Sequence, residues 1–109
     1  MTDPSRLDVL RLLDAQPNRT QREMAHELGM SLGKANYVLQ ALLAKGFVKV
    51  RNFRNSSNKR AYAYLLTPEG IRAKAELTRQ FLDWKIAEYD ALRVEIERLK
   101  VESEQSAQL

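Results

Sequence analysis

Between Thr20 and Gly46 the chain reads TQREMAHELGMSLGKANYVLQALLAKG, and the punctuation of this stretch leaves few folds open. Thr20 followed three residues later by Glu23 predicts a capping box, in which the hydroxyl satisfies an orphan amide of the first turn and the carboxylate reaches back to the Thr20 amide. Met24, Ala25 and Leu28 then recur at helical spacing, and Gly29 supplies the positive φ that ends this helix and turns the chain. Ser31 caps a second helix, whose apolar residues Ala35, Val38, Leu39, Leu42 and Leu43 follow the spacing of a buried stripe until Gly46 closes it. Two helices joined by a tight glycine turn are the unit around which the remaining elements have to be placed.

The second helix has a face left over. Leu32, Gly33, Lys34, Asn36, Tyr37 and Gln40 offer donors, acceptors and one aromatic ring, a set that suits base edges and phosphates in a major groove. Charge points the same way. The net charge of +4 is modest, but there is no acidic residue between Glu27 and Glu69, an interval that holds Lys34, Lys45, Lys49, Arg51, Arg54, Lys59 and Arg60. A local positive stripe on a helix and the segment after it is the electrostatic footprint of a polyanion partner. The competing explanation is a merely solvated basic surface, and such surfaces usually intersperse both signs.

Around this pair, Asp3 and Pro4 predict a cap and a first helical position, with Leu7, Leu10 and Leu13 as the apolar face of a short helix that Pro17 stops. After Gly46, Phe47 to Phe53 alternates as a half-buried strand does, Val48 and Val50 on one side and Lys49 and Arg51 on the other. Arg54 to Lys59, RNSSNK, has no apolar residue, is rich in turn formers and reads as a hairpin tip. Arg60 to Leu66 returns with Tyr62 and Tyr64 alternating with Ala61, Ala63 and Leu65. The fold class is therefore mainly α with a small β-hairpin wing: three helices and a basic hairpin, a winged helix-turn-helix over residues 1–67. Thr67 and Pro68 open a last helix that no proline interrupts, running to about Glu102, roughly 50 Å at 1.5 Å per residue. Leu82, Lys85, Tyr89, Leu92, Ile96 and Leu99 fall on alternating three- and four-residue steps with charged flanks, so residues 68–102 read as a coiled-coil-like dimerisation helix. Residues 103–109 read as a polar, frayed tail.

The segments TQREMAHELGMSLGKANYVLQALLAKGFVKV and NKRAYAYLLTPEG, in that order, resemble the MarR family of bacterial winged-helix transcription regulators across residues 20–70. The short length and the YAYLLTPEGI stretch are similar to the small MarR-type regulators associated with exopolysaccharide gene clusters. The resemblance implies that Ser31, Leu32, Lys34, Asn36, Tyr37 and Gln40 face DNA and that Arg60 enters the neighbouring minor groove from the wing. It also brings two departures. Asn58 stands where the family usually has the acidic residue that holds the wing arginine. Family members commonly dimerise through a long N-terminal helix together with C-terminal ones, and only nine or so residues stand ahead of Leu10, so pairing is expected to lean on the last helix, without the effector pocket that family members often form near that interface.

Each candidate has a plainer reading beside it. Tyr37 stacks on a sugar or meets a thymine methyl, or it packs on the wing. Lys34, near its helix start, suits a phosphate better than a base, because phosphates take half or more of such hydrogen bonds. Lys49, Arg51, Arg54, Lys59 and Arg60 are each either wing contacts or solvent-facing strand charges. His26 is the sole histidine and the chain has no cysteine, so no metal site is expected and neither is a disulfide. Phe81 and Trp84, off the main seam, cover the first helix of the same or a partner subunit, or line a ligand pocket. No nucleophile elbow, phosphate loop or metal spacing supports catalysis or a cofactor. No apolar run reaches the length of a membrane span and MTDPSRLDVL lacks a signal pattern, so a cytoplasmic protein is expected. The function these features predict is a homodimeric, sequence-specific double-stranded DNA-binding transcription regulator, a repressor, with exopolysaccharide synthesis genes as the targets the resemblance suggests. An adaptor that uses its winged helix for protein contacts without DNA is the alternative, and single-stranded nucleic acid stacking on Tyr62 and Tyr64 is a third class.

Overall fold

In a computed structural model of the chain, residues 3–54 and 60–108 are described, the side chains of residues 52–54, 60 and 61 excepted. The element order is α1 (Ser5–Ala15), α2 (Gln21–Leu28), α3 (Leu32–Ala44), β1 (Val48–Arg54), β2 (Arg60–Leu66) and α4 (Pro68–Ala107). The fold is mostly helical, with one antiparallel hairpin and a long C-terminal helix.

Local chemistry places the helix boundaries. The Asp3 carboxylate accepts from both the amide (3.0 Å) and the hydroxyl of Ser5 at the start of α1. The Thr20 hydroxyl accepts from the Glu23 amide at 3.1 Å while the Glu23 carboxylate accepts from the Thr20 amide at 3.0 Å, a complete capping box. Gly29 takes the left-handed conformation at the end of α2, with φ +64°. Ser31 caps α3 by accepting from the Lys34 amide at 3.0 Å. Thr67 performs two tasks at the base of α4: its hydroxyl accepts from the Gly70 amide at 3.0 Å and donates to the Gly46 carbonyl at 2.6 Å. The cap of α4 is thereby fastened to the turn that ends α3.

The chain divides into two compact units, Met1–Leu77 and Thr78–Leu109. In the first, Val9, Leu10 and Leu13 of α1 meet Met24, Val38, Leu39, Leu42, Val48 and Tyr64 in one core cluster, with Ala73 and Leu77 of α4 packed against its margin. Each fully buried leucine contributes about 1.5–3 kcal/mol relative to exposure. The first turns of α4 thus belong to the core of this unit, and the division falls inside the helix rather than at its start. Val9 lies off the Leu7, Leu10 and Leu13 stripe read from the sequence and is fully buried nonetheless, because α1 is covered on more than one side.

The hairpin pairs Val48 with Leu66 through to Arg54 with Arg60. Its base is wider than the sequence suggests. Arg19, ahead of α2, bridges Tyr64 from the other edge of β2: the Tyr64 amide donates to the Arg19 carbonyl at 3.0 Å and the Asn18 amide to the Tyr64 carbonyl at 3.2 Å. Asn18 reaches this position with φ +66°, a conformation Asn tolerates better than most residues. Burial decays along the strands. Val48 is buried but Val50, expected beside it in the core, is 43% exposed, since only the base of the hairpin is covered by helices.

The second unit is a single helical segment. α4 continues to Ala107, beyond the expected end near Glu102, because SEQSA contains no glycine or proline to stop it. Phe81 and Trp84 pack edge to face with ring centroids 5.3 Å apart. No helix among the described residues is long and apolar enough to cross a membrane.

Candidate nucleic-acid interface

The site is built on α3, whose two faces are sharply different. Ala35, Val38, Leu39 and Leu42 are each at most 2% exposed, locking one side of the helix into the core. The other side leaves Ser31, Leu32, Gly33, Asn36, Tyr37 and Gln40 exposed, Tyr37 at 68%. These are the residues the sequence singled out, brought together on one surface. A Cβ at Gly33 would meet nothing closer than the Ser31 hydroxyl at 4.0 Å, so the surface is open at this one position of the first turn of α3. An exposed helix start favours approach of an anion such as a phosphate, and here the Lys34 amide is already satisfied by the Ser31 hydroxyl.

Two contacts at this end have no counterpart in the sequence pattern. The Gln21 side-chain Nε2 donates to the Leu32 carbonyl at 3.2 Å and so ties the start of α2 to the start of α3. The Lys34 ammonium, half-exposed on the edge of the surface, is hydrogen-bonded and ion-paired to the carboxylate of Asp3. That ammonium, together with the Ser5 hydroxyl and amide, holds the Asp3 carboxyl well below the usual carboxylate range. Lys34 is therefore not an isolated cation waiting for a phosphate: it already has an exchangeable anionic partner, and the exposure of the pair makes the exchange inexpensive. Arg19 is engaged elsewhere, with Glu23 at 3.2 Å and Glu27 at 3.0 Å.

On the hairpin, Lys49 and Arg51 are exposed on the strand face opposite Val48, as alternation requires. Lys59 lies outside the described residues, as does Asn58, and the side chains of Arg54 and Arg60 are likewise not described. Tyr62 and Tyr64 separate: Tyr62 is exposed, whereas Tyr64 is 6% exposed and part of the core, where burial raises its phenol pKa. A stacking platform for single strands using both rings is therefore excluded. Ala63, between them on the opposite strand face, is fully buried. His26 is exposed on α2, and no group of three or more metal-ligating side chains occurs among the described residues.

Residues 2–49 match a family described as winged helix-turn-helix DNA-binding. No curated protein matches the chain. Among solved structures, a transcriptional repressor, CouR, bound to a 23-mer DNA duplex is 32% identical over 72% of this chain and 54% of its own, with a TM-score of 0.60. A PadR family transcription regulator from Clostridium difficile R20291 is 18% identical over 83% of this chain and 99% of its own, with a TM-score of 0.73. FabT from Streptococcus pneumoniae, in complex with DNA, is 21% identical over 80% of this chain and 59% of its own, with a TM-score of 0.57. This chain spans about half the length of CouR, 54%. CouR is a MarR-family protein, so similarity of fold extends to both MarR and PadR regulators. Helix pair, hairpin and C-terminal helix, in that order and with these relatives in fold, make the chain a winged helix-turn-helix protein.

Proposed function

We propose that this protein is a double-stranded DNA-binding transcription regulator that acts as a homodimeric repressor, with α3 in the major groove. The observation that carries the reading is the division of α3: one side is sealed into the core, while Leu32, Asn36, Tyr37 and Gln40 stand exposed on the other, within an interval of sequence free of acidic residues. Asn36 and Gln40 have the amide groups that pair bidentately with adenine, and Leu32 and Tyr37 the apolar surface that meets thymine methyls. Ser31, Lys34, Lys49 and Arg51 fit phosphate contacts, which fix register and orientation. Arg54, Lys59 and Arg60 complete the proposed wing, Arg60 in the minor groove.

A MarR-type placement is supported by the 32% identity to DNA-bound CouR; the higher TM-score of the PadR family structure makes PadR the competing placement. Repression of exopolysaccharide genes rests on the YAYLLTPEGI resemblance and is the finest part of the proposal. In the proposed dimer, Leu82, Lys85, Tyr89, Leu92, Ile96 and Leu99 pair two copies, so that two α3 helices meet successive major grooves about 34 Å apart on a near-palindromic site.

Fluorescence anisotropy with a labelled duplex tests the reading. Binding is expected at low salt, with log Kd rising linearly in log salt concentration as counterions are released. Lys34→Glu should weaken all sequences alike, while Gln40→Ala should act most on the preferred site. Absence of duplex binding at low salt, or binding indifferent to salt, refutes the proposal and favours a protein-binding adaptor. A genome-wide map of occupied sites then decides the target genes.

A further inference from the structure

We infer that the C-terminal helices of two copies pair parallel and in register as a two-stranded coiled coil, an inference that rests on the homodimer reading above and fixes its geometry. Along α4, Leu82, Tyr89, Ile96 and Ser103 occupy a positions of a heptad and Lys85, Leu92, Leu99 and Ser106 the d positions. Leu82, Tyr89, Leu92 and Leu99 are each more than half exposed and Ile96 is 42% exposed, an apolar seam that a single chain leaves in water. Ile96 at a, between leucines at d, is the combination that favours two strands.

The flanks name the occupant of that seam. The g positions are Phe81, Glu88, Glu95 and Glu102; the e positions are Ile86, Arg93 and Lys100. In a parallel pair each g residue meets the e residue five places later in the other helix. Phe81 then meets the partner's Ile86, Glu88 the partner's Arg93, and Glu95 the partner's Lys100: one apolar and two opposite-charge matches, each made twice by symmetry. An antiparallel pair sets g against g and e against e, so glutamates face glutamates and cations face cations. The same chain supplies both halves of every match, which identifies a second copy rather than an unrelated helix as the partner.

Lys85, the polar member of the seam, is accommodated by the same arrangement. Its ammonium lies 3.2 Å from the Glu88 carboxylate at the adjoining g position, so the aliphatic stem covers the seam while the charge stays at the rim. The intrahelical pairs Lys85–Glu88 and Lys100–Glu97, at 3.2 and 3.4 Å, are exposed. They exchange or share partners at little cost.

The chain contains no cysteine, so a single introduced thiol reports the geometry in the full-length protein. Parallel, in-register pairing brings the two copies of an a position within disulfide reach. In the antiparallel register that faces Leu82 with Leu99, two copies of residue 103 lie on the order of 35 Å apart. Ser103→Cys should therefore oxidise to a covalent dimer, and Glu104→Cys, at an outer b position, should not. Glu88→Lys combined with Glu95→Lys should weaken self-association about ten- to a hundred-fold at low salt, because four attractive contacts become repulsive. Light scattering and duplex binding are measured on the same samples. A dimer mass with no Ser103→Cys crosslink, and a dimer unaffected by the two lysines, overturns the parallel geometry and leaves the homodimeric regulator standing. A monomer mass at tens of micromolar overturns both the geometry and the homodimer, and duplex binding then reports separately on the DNA reading.

Discussion

Gly70 shows how a single residue joins the wing, the turn after α3 and the last helix. A Cβ there would stand 2.0 Å from the Phe47 carbonyl oxygen and 2.7 Å from a Leu66 methyl. The oxygen is backbone, held by the Thr67 amide at 3.1 Å, and has no rotamer by which to withdraw. Gly70→Ala is expected to lower stability by about 2 kcal/mol or more, read as a falling midpoint in urea, although alanine is the better helix former. From sequence this glycine shows only as a tolerated imperfection in a helix, because the neighbour that demands it lies 23 positions away. The tie of Asp3 to Lys34 was equally illegible. It spans 31 positions, and no spacing rule links the two. Asp3→Asn removes the competitor of phosphate for Lys34 and is expected to tighten duplex binding about two- to five-fold at low salt, the usual worth of an exposed pair. Anisotropy titrations of the two proteins side by side check this; equal or weaker binding by the variant would show that Asp3 positions Lys34 instead of occupying it. The pH dependence follows from the depressed Asp3 pKa: the ion pair is present at and above the ordinary carboxylate range and is lost only under stronger acid.

At the scale of elements, what the sequence made legible was chemistry confined to a few neighbouring residues. Thr20 and Glu23 form the box their spacing implies, Gly29 ends α2 in the left-handed conformation, and Ser31 caps α3. The buried and exposed residues of α3 follow from its period alone. What was not legible required knowing which elements touch. The bridge from Arg19 to Tyr64 depends on the path of the chain ahead of α2, and the exposure of Val50 on where the helices cease to cover the hairpin. Thr20→Ala gives an element-level test. It removes one side of the box, leaves the Glu23 amide without its side-chain acceptor, and is expected to cost about 1 kcal/mol in chemical denaturation. The Thr20 amide and hydroxyl hold the Glu23 carboxyl below its usual pKa. A folded-state pKa below the unfolded value means that this contribution is present above the unfolded pKa and disappears as pH falls through the folded one. The loss in Thr20→Ala should accordingly be larger at pH 7 than below the carboxylate range, and a loss independent of pH would assign it to the hydroxyl's amide contact alone.

For the molecule as a whole, charge and apolar surface are segregated along the chain. Residues 1–77 carry 13 basic and 7 acidic side chains, whereas residues 78–109 carry 5 basic and 7 acidic ones. The unit with the exposed α3 face is the cationic one, and the unit with the exposed heptad seam is weakly anionic. If the seam is where two copies meet, occupancy of DNA is coupled to self-association: two cationic units joined by one seam release about twice the counterions of one, so the salt slope as well as the affinity belongs to the dimer. Lys85 is the residue through which that coupling can be altered without touching the DNA surface. An ammonium at a d position weakens a two-stranded coil while helping to specify it. Lys85→Leu should therefore tighten the dimer by on the order of 1–3 kcal/mol, visible as a lower concentration for dissociation in sedimentation equilibrium. At protein concentrations below the wild-type dimer dissociation constant, the variant should bind duplex at lower total protein and with a less steep dependence on concentration, because it enters the binding reaction already paired. At concentrations where both proteins are fully dimeric, their isotherms and salt slopes should coincide. A tighter dimer whose DNA isotherm is unchanged at every concentration would separate pairing from DNA binding and count against the homodimeric mechanism.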